Sequence, residues 1–457
     1  MSRVSLAMIL LSALMMGGLL FGCQAKGTDE GTPIPLADRT AIAFAYPQYL
    51  TFFTEANYQR LADAFNDENP DLRVELRQIS TEELMASGYD YLSLVFDEEL
   101  GVDAFLSRDF RSLIEDDRVL DLQPLIVADP TFDLDDFYPL ALNALRRDGR
   151  LQGLPSEIDL VVFFYNNDLF DKADLPYPAV GWTRDDFVET AVALRKGLPE
   201  RYMAFNGQVS EAVPFIYAHG GAIRRGKDYA LTDPRTVEAV RWYTELAFVH
   251  DVMPLPEELE LYEPEPRGGG SVSIVSKAVG EGEVPEAERR WGMIEARAGI
   301  AAQEGDVALW SDLLTHRQGT GGWNWDFDWG IVPWPRDRAE VIFSYTFAYF
   351  VSAKTPYPEA VLRWIDFLTR QPPQLKGIPA RRSVAESVQV RRNFSDQIGR
   401  QIYDVCLVAI EKATPVDYGL YLVAERYLGQ AVLDILEGGD DVEAALSRAQ
   451  AALETRP

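Results

Sequence analysis

Thr40-Ala41-Ile42-Ala43-Phe44-Ala45-Tyr46, Tyr58-Gln59-Arg60-Leu61-Ala62-Asp63-Ala64-Phe65-Asn66 and Leu72-Arg73-Val74-Glu75-Leu76 follow one another near the start of the chain and decide its fold class. The first is a continuous apolar run, the pattern of a strand buried on both faces. In the second, Tyr58, Leu61, Ala62 and Phe65 recur at i, i+3, i+4 and i+7, so the spacing predicts a helix over 54–66 with one apolar face. Asn66-Asp67-Glu68-Asn69-Pro70 supplies its stop. The third alternates apolar with charged residues and reads as a half-buried strand. A strand–helix–strand opening requires parallel strand pairs, which places the chain in the α/β class.

The pattern continues outward. Val102 to Leu106 reads as a short strand, and Phe110 to Glu115 as the start of a helix. Gly153-Leu154-Pro155 leads into a strongly apolar strand over Leu160 to Tyr165. Thr183 and Asp186 form a capping box ahead of Phe187, Ala191 and Leu194, with Gly197 as the stop. Thr232-Asp233-Pro234 opens another helix, carrying Val237, Val240, Trp242 and Leu246. Gly268-Gly269-Gly270 and the run Gly280 to Glu288 read as loops. Strands are predicted over Phe327 to Val332 and Tyr345 to Ser352, and a helix from Pro358. Gly438-Gly439-Asp440-Asp441 caps a last helix with a stripe of Val442, Ala445, Leu446, Ala449 and Leu453.

The 457 residues exceed one ordinary core, so two lobes are expected. Hydrophobic residues make up 47% and charged residues 25%, which excludes extensive disorder. A net charge of −29 argues against nucleic acid and against docking on anionic lipid. His219, His250 and His316 are scattered, and neither HExxH nor paired CxxC occurs, so no metal or cofactor is expected.

The N-terminus carries a different message. Arg3 is followed by an uncharged run from Val4 to Phe21, then Gly22 and Cys23. This is the layout of a secretory signal. Leu20-Phe21-Gly22-Cys23 resembles a lipobox, which implies removal of residues 1–22 and a lipidated Cys23. Residues 23–38 then form a polar tether, rich in Gly, Thr and acidic side chains. The alternative is an uncleaved membrane anchor, against which Gly17-Gly18 and Cys23 argue. With Cys23 lipidated, Cys406 has no intrachain partner, and its apolar helical context marks it as a buried thiol.

Five stretches together resemble one family. They are Tyr58 to Pro70, Val119-Leu120-Asp121-Leu122, Gly149 to Pro155 with Phe164-Tyr165-Asn166-Asn167-Asp168-Leu169-Phe170, Gly181-Trp182-Thr183-Arg184-Asp185-Asp186-Phe187, and Gly377-Ile378-Pro379-Ala380-Arg381-Arg382-Ser383-Val384. Their order resembles that of the extracellular solute-binding proteins of bacterial ABC importers, family 1, the maltose- and sugar-binding lipoprotein type. The region 255–302 departs from the pattern. The resemblance implies a two-lobed, periplasmic-binding-protein-like α/β fold of type II with its ligand between the lobes. Lobe 1 would be 39–156 plus 334–372, and lobe 2 would be 157–333 plus 373–457. It also implies a monomer outside the cytoplasm, lipid-anchored and partnered with the transmembrane subunits of a permease.

In open α/β sheets, ligands bind beyond the carboxyl ends of the strands. That rule selects Gln48 and Tyr49, Arg108 and Asp109, and Glu157 and Asp159. The family places acidic sugar contacts near Asp109 and Asp159. A sugar needs carboxylate acceptors around its edge and aromatic rings against its faces. Hydrogen bonds to charged groups contribute about 1.5–3 kcal/mol each, and ring contacts about 0.5–1.5 kcal/mol. Five of the nine tryptophans lie between Trp310 and Trp334. Trp310 and Asp312 follow a strand resembling one in the family. Trp323 and Trp325 follow a glycine-rich stretch, and Tyr345 or Phe347 is a candidate from the other lobe. Trp329 reads as core, whereas Trp334 fits core or cleft. Arg108 either holds an anionic ligand group or pairs with Asp109.

Three functional classes remain open on the sequence: a lipid-anchored carrier delivering a carbohydrate to an ABC importer without catalysis, an exported carbohydrate hydrolase, and the same fold serving a sensor or a non-sugar ligand.

Overall fold

The structure, a computed structural model, describes residues 35, 38–48, 57–87, 90–108, 113, 116–207, 211–262, 286–317, 324–412 and 418–455. For 286–289, 396–397, 412 and 418–426 it describes the backbone alone. The expected signal, Cys23 and nearly all the tether lie outside the described residues, as do Tyr49, Asp109, Trp323 and most of 110–115. No helix among the described residues is long and apolar enough to cross a membrane.

The opening unit forms as its periodicity predicts. Strand β1 is Thr40–Pro47, helix α1 is Tyr58–Glu68 and strand β2 is Leu72–Ile79. β1 and β2 pair in parallel, Thr40 opposite Leu72. Tyr58, Leu61, Ala62 and Phe65 of α1 are all buried, and Asn57 caps the helix by accepting from Arg60 N–H. β3 (Ala104–Ser107) joins β1 in parallel on its other edge.

The central element is β4, Gly153–Asn166, a strand of 14 residues. The sequence exposes only its second half, Leu160 to Tyr165. The first half contains Ser156, Glu157 and Asp159, polar residues that are nonetheless buried. β4 belongs to two sheets in succession. Gly153 to Leu160 pair antiparallel with β8 (Ser344–Val351), which also pairs with β3. Val161 to Tyr165 pair antiparallel with β6 (Val307–Leu313), which pairs in parallel with β5 (Met203–Phe205). The strand order is therefore β2-β1-β3-β8-β4-β6-β5. β7 (Trp329–Val332) and β9 (Ile378–Pro379) also pair with β4, at Phe163–Asn166 and at Glu157–Ile158. The change of sheet falls between Leu160 and Val161.

Helices cover both halves. α2 (Arg184–Gly197) carries the predicted capping box, with Asp186 and Thr183 bonded reciprocally, and it runs through Gly197 to a cap at Leu198. α3 (Pro234–Phe248) starts at the Asp233 cap. The segment read as a loop up to Glu288 already enters a helix, Glu286–Gln303, and this corrects that expectation. α4 (Pro358–Thr369) buries Trp364 against Phe44 and Phe65. α5 (Val388–Ile398) and α6 (Arg400–Lys412) follow β9. α7 (Tyr418–Gly438) packs on α8 (Val442–Glu454), whose predicted stripe is buried throughout. Cys406 is a buried free cysteine, and burial pushes its thiol up to about 12, so it remains a thiol at neutral pH.

Candidate functional site

The strand directions create a meeting point. β1 and β3 end at Pro47 and Ser107 in one half, while β5, β6 and β7 end at Phe205, Leu313 and Val332 in the other. β8 begins at Ser344, opposite Leu160, and β6 ends at Leu313, opposite Val161. Carboxyl ends from both halves thus converge where β4 changes sheet, the place where ligands are held in such folds.

Asp159 is the deepest acid at this point and is fully buried. It accepts the Thr315 backbone N–H at 3.0 Å and the Thr315 hydroxyl at 2.6 Å. Burial raises its pKa, opposed by the Thr315 hydroxyl and by the charges of His316 and Arg317. Tyr345 stands opposite Asp159 in the β4–β8 ladder. Two residues earlier, Glu157 takes a different set of partners. Its oxygens accept the backbone N–H groups of Gln374 (2.6 Å), Leu375 (2.9 and 3.1 Å) and Gly377 (2.8 Å). Burial lifts its pKa to about 7 against those donors.

The short 3₁₀ turn Leu314–His316, and Arg317 after it, complete the cluster. His316 Nδ1 lies 2.7 Å from Asp312 Oδ1. Burial alone would lower the His316 pKa. The Asp312 carboxylate, and then Asp159, outweigh it, and the net shift is upward. The charge of Arg108, one residue past β3, opposes His316 protonation, so the two side chains are within electrostatic reach of each other. Arg317 is buried, donates to Lys376 C=O at 2.6 Å, and lies over the Phe394 ring at 4.8 Å. Burial pulls its pKa down to about 10, which leaves it a cation at neutral pH.

The candidates from the sequence separate accordingly. Arg108, Asp159, Asp312 and Tyr345 gather at the junction. Glu157 lies beside them with its carboxylate engaged by the chain. Gln48, just past β1, accepts the Thr81 N–H at 3.2 Å. Two tryptophans instead pack within the second half. Trp310 is 1% exposed and stacks on Phe164 with centroids 5.6 Å apart. Trp325 is buried, donates to Gln303 at 3.1 Å, and contacts Phe164, Trp310, Phe327 and Trp329. Trp334 is buried at the crossing, its indole N–H donating to Val161 C=O at 3.0 Å. Thr315, His316 and Arg317 were not singled out by the sequence. The one local signal was the four-residue spacing of Asp312 and His316.

A concavity of about 320 Å³ lies between Trp334 and Ile342 on one side and Val405 and Val408 of α6 on the other. Its lining is mostly apolar, with Arg336, Glu340 and Asp404 as its charges.

Residues 54–374 match the profile of the bacterial extracellular solute-binding protein family, most of the chain. The chain belongs to that family. An arabinooligosaccharide-binding protein of Halalkalibacterium halodurans is 25% identical over 132 residues, a match spanning 27% of this chain and 28% of that relative's length. Among solved structures, the Listeria monocytogenes ABC substrate-binding protein Lmo0181, in complex with cycloalternan, superposes with a TM-score of 0.66 at 19% identity. That superposition covers 91% of this chain and 98% of the other. UgpB from Mycobacterium tuberculosis, in complex with glycerophosphocholine, also gives 0.66, at 17% identity, covering 90% and 97%. These likenesses establish the two-lobed, periplasmic-binding-protein-like α/β fold. The solute-binding family is extracellular, and the relatives that match are binding proteins rather than enzymes.

Proposed function

We propose that this solute-binding protein captures a carbohydrate between its two lobes and delivers it to an ABC importer, with no covalent step. The observation that carries this reading is the convergence of Asp159, Asp312, Arg108 and Tyr345 where β4 changes sheet. Carboxylates accept sugar hydroxyls, and Tyr345 offers a ring to a sugar face. The sugars bound by the similar proteins named above support this class of ligand. The lobes are 39–156 plus 334–372 and 157–333 plus 373–457, with Gln48, Tyr49, Arg108 and Asp109 contributed by the first. Lobe closure buries the ligand and presents a closed face to the permease. Lipidation of Cys23 keeps the monomer beside that permease, on the extracytoplasmic surface of the membrane.

Thermal-shift measurements with cycloalternan, arabinotriose, maltotriose and glycerophosphocholine test the ligand class. A ligand at a hundred times its Kd stabilises the fold by about 2.7 kcal/mol. A shift with an oligosaccharide, absent in Asp159→Asn, supports the carrier reading. Release of reducing sugar from the same oligosaccharides, lost in Asp159→Asn, would replace it with a hydrolase.

One observation favours a second reading. Arg108 is a cation at the junction, and its guanidinium suits an anionic group. A shift with glycerophosphocholine and none with neutral sugars selects that reading.

A further inference from the structure

Three segments from distant parts of the chain meet around one residue. Lys376 lies just before β9 and has φ +65°, a left-handed conformation that non-glycine residues adopt rarely and at a cost. Its neighbours on both sides, Leu375 and Gly377, donate their N–H groups to Glu157. Its own carbonyl accepts from Arg317 at 2.6 Å. Gly377 leaves little room for a side chain, because a Cβ there would lie 3.0 Å from Glu157 Cβ and Oε2, and Glu157 would have to shift by a few tenths of an ångström. The backbone is therefore held by a buried carboxylate and a buried guanidinium.

The two holding groups have different origins. Glu157 belongs to the first half of β4, and the segment it grips leads into β9, which pairs with the same stretch of β4. Arg317 closes the turn that begins at Leu314 and also donates to the Leu314 carbonyl at 3.0 Å. Between those residues, Thr315 binds Asp159 through its backbone and its side chain. A shift of the turn at Asp159 must therefore move Arg317, and Arg317 holds Lys376.

We infer that Glu157 and Arg317 are positioning residues, a clamp that fixes Lys376 in its left-handed conformation and couples the Asp159–Thr315 turn to the chain crossing at 374–378. Neither needs to touch ligand. The clamp transmits a displacement at the ligand turn to a segment passing between the lobes, whichever ligand the cleft takes.

Hydrogen exchange of the 374–377 amides in the ligand-free full chain reads the clamp directly. This readout stands whether or not any sugar binds. Thr315→Val, which removes only the hydroxyl bond to Asp159, is expected to accelerate exchange there by about fivefold or more. In an Arg317→Gln background the same change adds nothing further, because the connection is already cut. Glu157→Gln accelerates the same amides on its own, while exchange in α8 stays as in the wild type. Equal acceleration by Thr315→Val in both backgrounds overturns the inference, as does no effect at 374–377 in a folded Thr315→Val protein. If Arg317→Gln does not fold, Arg317→Lys, which keeps the charge without the planar fork, takes its place under the same criterion.

Discussion

Thr315 closes on Asp159 with both of its donors, the backbone N–H at 3.0 Å to one carboxylate oxygen and the hydroxyl at 2.6 Å to the other. The residues are 156 positions apart and come from β4 and from the turn after β6. Asp159→Asn leaves one of those donors facing an amide N–H₂. The variant is expected to lose about 1–3 kcal/mol of stability, read from its urea midpoint. It is also expected to bind at least about tenfold more weakly, a loss of about 1.4 kcal/mol, read by calorimetry.

Glu157 makes stability depend on pH near neutrality. Its folded pKa of about 7 lies above the ordinary carboxylate value because of burial. The backbone donors at 374, 375 and 377 oppose the shift, and Asp159 adds to it. Arg317, Tyr58 and Tyr349 are also within electrostatic reach. A raised acid pKa means that its stabilising contribution is complete below the unfolded value and is lost as pH rises through the folded one. Between pH 6 and pH 8 this group alone lowers the unfolding free energy by about 1.4 kcal/mol. Comparing urea midpoints of wild type and Glu157→Gln across that range checks the sign, since the step disappears in the variant.

His316 owes its raised pKa to the Asp312 and Asp159 carboxylates, which overcome the effect of burial. Asp312→Asn removes the nearer charge, so the imidazole is expected to titrate at lower pH. The C2 proton resonance of His316, followed by NMR from pH 5 to pH 8, reports the change. A resonance that does not move would assign the shift to Asp159 alone.

Trp310 fills the core beside Phe164. Trp310→Ala is expected to cost about 3–5 kcal/mol, seen as an earlier unfolding transition with or without ligand. Loss of affinity in a variant of unchanged stability would return this ring to the cleft.

Regular periodicity carried the first strand–helix–strand unit, the capping box at Thr183 and the stripe of α8 from sequence to structure. It failed where function or burial broke the pattern. The first half of β4 was illegible because Ser156, Glu157 and Asp159 interrupt its apolar run. They are tolerated there because the 374–377 backbone, Thr315 and the Phe347 carbonyl satisfy them. The tryptophans between 310 and 334 were legible as a cluster but not in direction. A ring suits a sugar face and a packed core equally well, and only the position of Phe164 shows where Trp310 and Trp325 turn. Thr315, His316 and Arg317 went unmarked because Asp159 and Lys376, the partners of Thr315 and Arg317, are far along the chain. The helix over Glu286–Gln303 was misread at its start, where charged residues outnumber apolar ones.

β4 also sets an order of events during synthesis. Its partners β6, β7 and β8 begin only at Val307, Trp329 and Ser344, long after Asn166 has been made. A nascent chain therefore carries an apolar strand with no ladder to join, and neither sheet can be completed until most of the polypeptide exists. Such long-range pairing folds slowly and leaves sticky surface exposed in the interval. A chain of this topology can remain unfolded while it is being made, the state in which a polypeptide can be threaded through a narrow channel.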